Sequence, residues 1–371
     1  MKIKISNIYY TNIILILLNN WITETKILFN IYENFKIWII LSICLLSLIQ
    51  VLITRYKLKE NIFLLIILIL CIYTSYKINN TWLIYLFISA VFSKDKDINI
   101  IMQIISNSLI LFFSINFISF LIMYFFYSDN LLVLYTANKI RWNINFLSPN
   151  NASRYLIFLT LSYFYKTYRK NEYLKWIFLF FISGIVYIFT KSEALLIIPL
   201  IFILKMSKNN QIINYLVDKF SKVGFFILWG ISYISILIPN SKIIIFLDKL
   251  STGRFKLGLR AIEYYGKSFF GNNVSLGSYM NINDSFVYMG IDNAYLYFMV
   301  KNGIIYLVII GILFFKSNSK LDYKSKVCIS IYCIYCLFEN SILSPSSFFP
   351  IIIAVNSIFN NSKKTETYLI N

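Results

Sequence analysis

The residues in this 371-residue sequence best suited to chemistry are its arginines. Six occur, Arg55, Arg141, Arg154, Arg169, Arg254 and Arg260, and none loses its charge near neutral pH. Each guanidinium is a planar fork that grips a phosphate or carboxylate at two points. The densest group is "STGRFKLGLR", Ser251 to Arg260, where two arginines and Lys256 lie within seven residues. From Lys249 to Lys267 there are five cations and one acid, Glu263. Histidine is absent, which removes the usual proton shuttle and the commonest metal ligand, so no metal site and no cofactor are expected. Cys333 and Cys336 form C-x-x-C on an apolar run without further soft ligands, a setting that suits packing.

The elements that carry these residues follow from composition. With 58% hydrophobic and 19% aromatic residues, the chain has more apolar surface than one soluble core can hide. Apolar runs of about 20 residues recur and period-2 alternation is absent, which predicts an all-α, polytopic membrane protein rather than a barrel. About twelve spans are expected, near 8–20, 36–54, 61–77, 81–93, 99–126, 152–168, 173–190, 192–206, 222–239, 293–316, 326–342 and 346–360. Met1 to Asn20 has no small-residue cleavage site before its polar flank, so no cleaved signal peptide is expected. The basic loops, Lys2/Lys4, Arg55/Lys57/Lys59, Lys94/Lys96, Lys166/Arg169/Lys170, Lys205/Lys208, Lys316/Lys320/Lys324 and Lys363/Lys364, predict both termini on the cytoplasmic side. Those loops are short and hold no glycine-rich phosphate loop, which argues against a nucleotide-driven pump; no nucleic-acid partner is expected.

Residues 1–371 thus read as a single membrane domain with two longer external connections, a smaller loop at 127–151 and one large loop at 240–291. Most lysines obey the positive-inside tendency, whereas Arg141, Arg154, Arg254 and Arg260 fall outside. A helix capped by Ser251 or Thr252 and running to Tyr265 places Lys256, Arg260, Glu263 and Lys267 at i, i+4, i+7 and i+11, with Phe255, Leu259 and Ile262 on the adjacent face. Such a helix suits an external phosphate, and equally suits anionic lipid headgroups. Pro149, Asn150 and Asn151 precede the sixth span and Arg154 follows them, an arrangement for an anion at a helix N-terminus or for a plain turn and cap.

Three stretches together, "RWNINFLSPNNASRY", "STGRFKLGLRAIEYYGKSFFGNN" and "IDNAYLYFMVKNGI", resemble the Wzy-type polysaccharide polymerases of O-antigen and capsule synthesis, within the O-antigen ligase-like group. The matching positions are Arg141, Pro149 and Asn150; Gly253, Arg254, Phe270 and Gly271; and Asp292, Asn293, Tyr295 and Gly303. The likeness covers about residues 130 to 345, and the first hundred residues match only as generic spans. It implies a bacterial cytoplasmic-membrane enzyme that joins polyprenyl-pyrophosphate-linked oligosaccharides on the external face, among membrane lipids and with a possible chain-length regulator as partner. It further implies catalytic roles for Arg141 and Arg254, with Asp292 or Glu263 as base. Arg154, Asn150, Lys256, Arg260, Asn293 and Tyr295 would bind substrate or pyrophosphate. Asp292 equally suits an N-cap. Where relatives show Ser-Arg, this chain reads "TKSEALL", Thr190 to Leu196, and Glu339 in "CLFENS" is a second unassigned acid at a span end. A related ligase is the less favoured alternative, since similar ligases carry a histidine in the large loop. A lipid-linked oligosaccharide flippase is the other, though no internal repeat or paired broken helices are evident.

Overall fold

The structure, a computed structural model, describes residues 5–26, 29–126, 133–136, 139–168, 172–251, 253–282 and 285–360. Lys2, Lys4, Arg169, Lys170, Thr252, Lys363 and Lys364, used above for orientation and capping, lie outside the described residues.

Fifteen α-helices follow one another among the described residues. They are α1 (Ile5–Glu24), α2 (Phe29–Ile53), α3 (Leu58–Ile78), α4 (Trp82–Val91), α5 (Ile98–Phe126), α6 (Pro149–Thr167), α7 (Tyr173–Thr190), α8 (Ile197–Met206), α9 (Gln211–Leu237), α10 (Lys242–Leu250), α11 (Arg254–Tyr265), α12 (Ala294–Tyr297), α13 (Ile304–Ser317), α14 (Tyr323–Phe338) and α15 (Phe349–Asn360). Five of them, α2, α3, α5, α7 and α9, are long and apolar enough to cross a membrane. Their large side chains stay uncovered, with Tyr76 89%, Leu52 85% and Leu174 83% exposed, and Phe125 and Trp38 exposed as well. Water does not tolerate such continuous apolar faces and hydrocarbon does, so the chain is a multi-pass membrane protein.

Two departures from the expected spans stand out. The eighth begins with a 3-10 turn at Glu193–Leu196 before α8. The tenth, expected as one helix, is broken: α12 passes into a π turn at Phe298–Asn302, and Gly303 at φ 108° separates it from α13. Two short antiparallel hairpins also occur in the longer loops, β1 (Val133–Thr136) with β2 (Lys139–Trp142), and β3 (Ser278–Ile282) with β4 (Ser285–Met289). These four- and five-residue strands are far shorter than a membrane-spanning strand.

The helices form two compact units interleaved in sequence. One draws on the chain up to Lys57, on Ile88–Ile213 and on the chain from Ser344; the other on Leu58–Phe87 and Asn214–Leu343. In the first, α6 is the central helix. Ser148 caps it by accepting a hydrogen bond from the Asn150 amide, Pro149 fits the first turn, and nearly every later side chain is buried, polar Ser153, Thr160 and Ser162 included. A helix this polar is stable inside a membrane protein because its hydroxyls bond back to its own carbonyls, as Thr160 does to Leu156 and Ser162 to Leu159. Trp21 of α1 stacks on Phe112 of α5 at 4.6 Å, and Phe349 of α15 meets Phe158 edge-on.

In the second unit α14 is buried along most of its length, Cys328, Cys333 and Cys336 included. Phe225 of α9 packs against Tyr295 and Phe314, and Phe314 against Tyr332, with ring centroids 5.1 to 5.9 Å apart. The break at Gly303 is filled by the segment after α11. Ser268 donates to the Met299 carbonyl, Asn272 to that of Lys301, and Ile304 donates back to Ser268. The backbone groups that the interrupted helix releases are thereby satisfied within protein, as hydrocarbon requires.

Candidate functional site

In the first unit, β2 delivers Arg141 beside the start of α6 and the end of α7. Its Nη2 donates to Asn150 Oδ1 at 2.6 Å and its Nε to the Thr190 carbonyl at 2.7 Å. Neighbouring Trp142 is fixed in an edge-on aromatic cluster with Phe120, Tyr124 and Phe189, which orients the strand. At the same place Ser153 Oγ meets Thr190 Oγ1 at 3.4 Å, and Lys191 ends α7 in a left-handed conformation. The structure thus brings together Arg141, Asn150 and the "TKSEALL" segment. Asn150 sits in the first turn of α6, and the guanidinium and the helix N-terminus share one neighbourhood.

Arg154 is placed otherwise than expected. It is 1% exposed, its Nη2 donates to the Glu24 carboxylate, and its Nε donates to Ser346 Oγ at 3.0 Å. Asn20 completes the network, donating to Glu24 Oε2 and to the Tyr155 hydroxyl and accepting from Ser344 Oγ. The physical reason is simple: a fixed charge on the helix buried at the centre of this unit needs an internal counter-ion, and the last residue of α1 supplies it. Arg154 is a core ion pair, not an open anion ligand.

In the second unit, the opening stretch divides into two helices. Ser251 closes α10, and α11 starts at Arg254 behind Gly253, at φ 85°. Among the described residues no serine or threonine side chain caps α11; Asp248 Oδ1 instead accepts from the amides of Phe255 and Lys256, both at 3.0 Å. The expected division of faces appears, with Lys256, Glu263 and Lys267 exposed and Phe255 and Ile262 buried. Lys256, Glu263, Asp248 and Lys249 line a groove of about 510 Å³ floored by Ile244, Phe255 and Leu259. Arg260 is half-exposed and has no hydrogen-bond or ion-pair partner among the described residues.

Arg254 points away from that groove, into the unit. It is 6% exposed, its Nη1 lies 3.6 Å from Glu339 Oε1, and Phe338 presents its ring 5.9 Å from the guanidinium carbon. Nε and Nη1 are both buried without a hydrogen-bond acceptor. The face of α11 that carries Arg254 approaches α12 closely: a Cβ on Gly258 would lie 2.4 Å from Leu296 Cδ1. Glu339 ends α14 in an extended conformation, and Asn340 donates to the Ile291 carbonyl at 2.6 Å, tying the acid's segment to the one that begins "IDN".

Within "IDNAY" the three candidate residues separate. Asn293, not Asp292, caps α12: its Oδ1 accepts from the Leu296 amide and its Nδ2 donates to Ser232 Oγ, both at 3.2 Å. Tyr295 is fully buried and donates to the Cys333 carbonyl at 3.0 Å. Asn293 and Tyr295 are therefore scaffold, their polar atoms consumed by the fold rather than offered to a substrate. Asp292 keeps a half-buried carboxylate with no partner among the described residues. Glu24 and Glu339 are each a lone carboxylate at the end of an apolar run, and that position is the signal the sequence offers for them. Among the described residues no cluster of three or more metal-binding side chains occurs. Comparison of the chain with protein-family models, with curated proteins and with solved structures returns no match.

Proposed function

We propose that this chain is a polysaccharide polymerase of the Wzy type, which joins polyprenyl-pyrophosphate-linked oligosaccharide repeat units on the external face of a bacterial cytoplasmic membrane. In this reading about twelve helices span the bilayer, both termini are cytoplasmic, and residues 240–291 form the large external loop. The observation that carries it is Arg254: a buried guanidinium on that loop with two nitrogens lacking acceptors, the electrostatic shape that an incoming oxyanion satisfies.

The reaction transfers the growing glycan by its reducing end. A hydroxyl of the acceptor unit attacks the anomeric carbon of the donor, the bond from that carbon to the diphosphate oxygen breaks, and polyprenyl diphosphate departs with the electron pair. Arg254 stabilises the charge accumulating on the leaving diphosphate. The hydroxyl proton passes to Asp292, a half-buried acid whose carboxylate no described residue engages. Lys256, Arg260 and Glu263, on the other side of α11, serve the sugar-bearing parts of the substrates.

Purified protein mixed with lipid-linked repeat units, without nucleotide or added metal, should build a ladder of longer glycans, and Arg254→Ala should abolish it. In cells the same variant should leave single repeat units on the surface. Loss of every surface unit would instead indicate a flippase or a ligase. A reporter fused after Arg260 should read as external.

A further inference from the structure

The buried pair of Arg254 and Glu339 has an unusual geometry. Two opposite charges almost out of reach of water normally close to a direct hydrogen bond, because each otherwise loses its hydration without compensation. Here Nη1 and Oε1 remain 3.6 Å apart, and Nε and Nη1 donate to nothing. The two partners are also held unequally. Glu339 is pinned: its amide donates to the Tyr335 carbonyl, and Asn340 beside it is bound to Ile291. Arg254 is the first residue of α11, preceded by a left-handed glycine, and its guanidinium sits at the end of a long side chain with several rotatable bonds. If either partner is to move, it is the guanidinium.

We infer that Glu339 is the standing counter-ion of Arg254, a positioning carboxylate that balances the guanidinium's charge and holds it in place until diphosphate oxygens take it over, and so sets how tightly that anion binds. The inference rests on the polymerase reading for the identity of the anion. Glu339 competes with the diphosphate for the same cation, so its charge weakens anion binding while its presence keeps the empty site folded.

The test is binding of inorganic diphosphate to the full-length protein in detergent, read by calorimetry, with folding of each variant checked by size exclusion. Glu339→Gln retains shape and removes the competing charge; it should bind diphosphate about tenfold more tightly than the parent, a factor that corresponds to about 1.4 kcal/mol. Glu339→Asp, which draws the carboxylate back by one methylene, should lie between and serves if the glutamine variant does not fold. Arg254→Ala, alone or combined with either, should abolish the effect. Unchanged or weaker binding in a folded Glu339 variant, or no binding in any variant, overturns the inference. Tighter binding in Glu339→Gln by a protein that builds no polymer would keep the inference and remove the polymerase reading. Polymer formation that needs Arg254 but shows no change in diphosphate affinity on Glu339→Gln would do the reverse.

Discussion

Gly271 and Gly303 meet across the break in the tenth span: a Cβ on Gly303 would lie 2.9 Å from the Gly271 amide nitrogen and 2.6 Å from the Phe269 carbonyl. The approach is reciprocal, since a Cβ on Gly271 would lie 2.6 Å from the Lys301 carbonyl. Both have positive φ, 94° and 108°, where side chains are strained regardless of space. Thr74 of α3 donates to the Phe270 carbonyl and accepts from the Tyr306 hydroxyl, so the junction is fastened on a third side. The two glycines belong to separate pieces of the sequence resemblance, and here they form one joint that sets where the segment after α11 lies against the membrane helices of its unit.

Gly303→Ala and Gly271→Ala should each destabilise the protein by roughly 1–3 kcal/mol or more, because strain and a backbone clash coincide. Gly266→Ala is the internal control: its φ is also positive, at 73°, but nothing lies within 4 Å of the added carbon, so only the strain remains. Melting midpoints in detergent should fall further for the first two than for the third.

The ion pair of Arg154 with Glu24 makes a different demand. Glu24→Ala leaves a buried guanidinium without its counter-charge and should cost about 3–5 kcal/mol, whereas Glu24→Gln with Arg154→Met removes both charges and should recover most of that loss. A double-mutant cycle on thermal stability measures the coupling. The folded double variant should retain polymer formation, since the pair belongs to the core.

How far the sequence could be read is clear at these positions. The apolar runs of α2, α3, α5, α7 and α9 were legible because hydrocarbon enforces a simple rule, length and apolarity, that a single sequence displays. The break in the tenth span was invisible, since it depends on Ser268–Asn272 returning to bond with residues some thirty positions later. The hairpins escaped for a related reason: strands this short have too few residues for a period to show. At the candidate site, arginine and glycine positions were legible as unusual residues in an unusual composition. Their partners were not, because an isolated acid such as Glu24 or Glu339 carries no mark of which distant cation it meets. Whether Asp292 or Asn293 caps α12 was open in the sequence, because the two side chains have nearly equal capping strength; in the structure Asn293 is the cap and also donates to Ser232.

Arg141 tests the geometry of the first unit. Lysine keeps the charge but cannot donate from two nitrogens at fixed angles to Asn150 and to the Thr190 carbonyl. Arg141→Lys should therefore shorten or abolish the glycan ladder while lowering stability little, and Asn150→Ala should produce a weaker form of the same defect. Equal ladders from Arg141→Lys and the parent would confine the residue to a structural role.

The neighbouring pair Asp292 and Asn293 offers the sharpest separation of chemistry from scaffold. Asn293→Ala removes a helix cap and leaves Ser232 Oγ without its donor, so stability should fall by about 1 kcal/mol or somewhat more. Asp292→Asn removes only a charge that no described residue engages, so stability should stay within about 0.5 kcal/mol of the parent. Its polymer yield should nonetheless drop by about 10²-fold or more, the usual contribution of a general base. Adjacent residues would then show opposite profiles, one losing stability and the other activity. A stable Asp292→Asn variant with full activity would move the proton acceptor elsewhere, and Glu263, whose carboxylate faces the groove beside α10, would be the next to substitute.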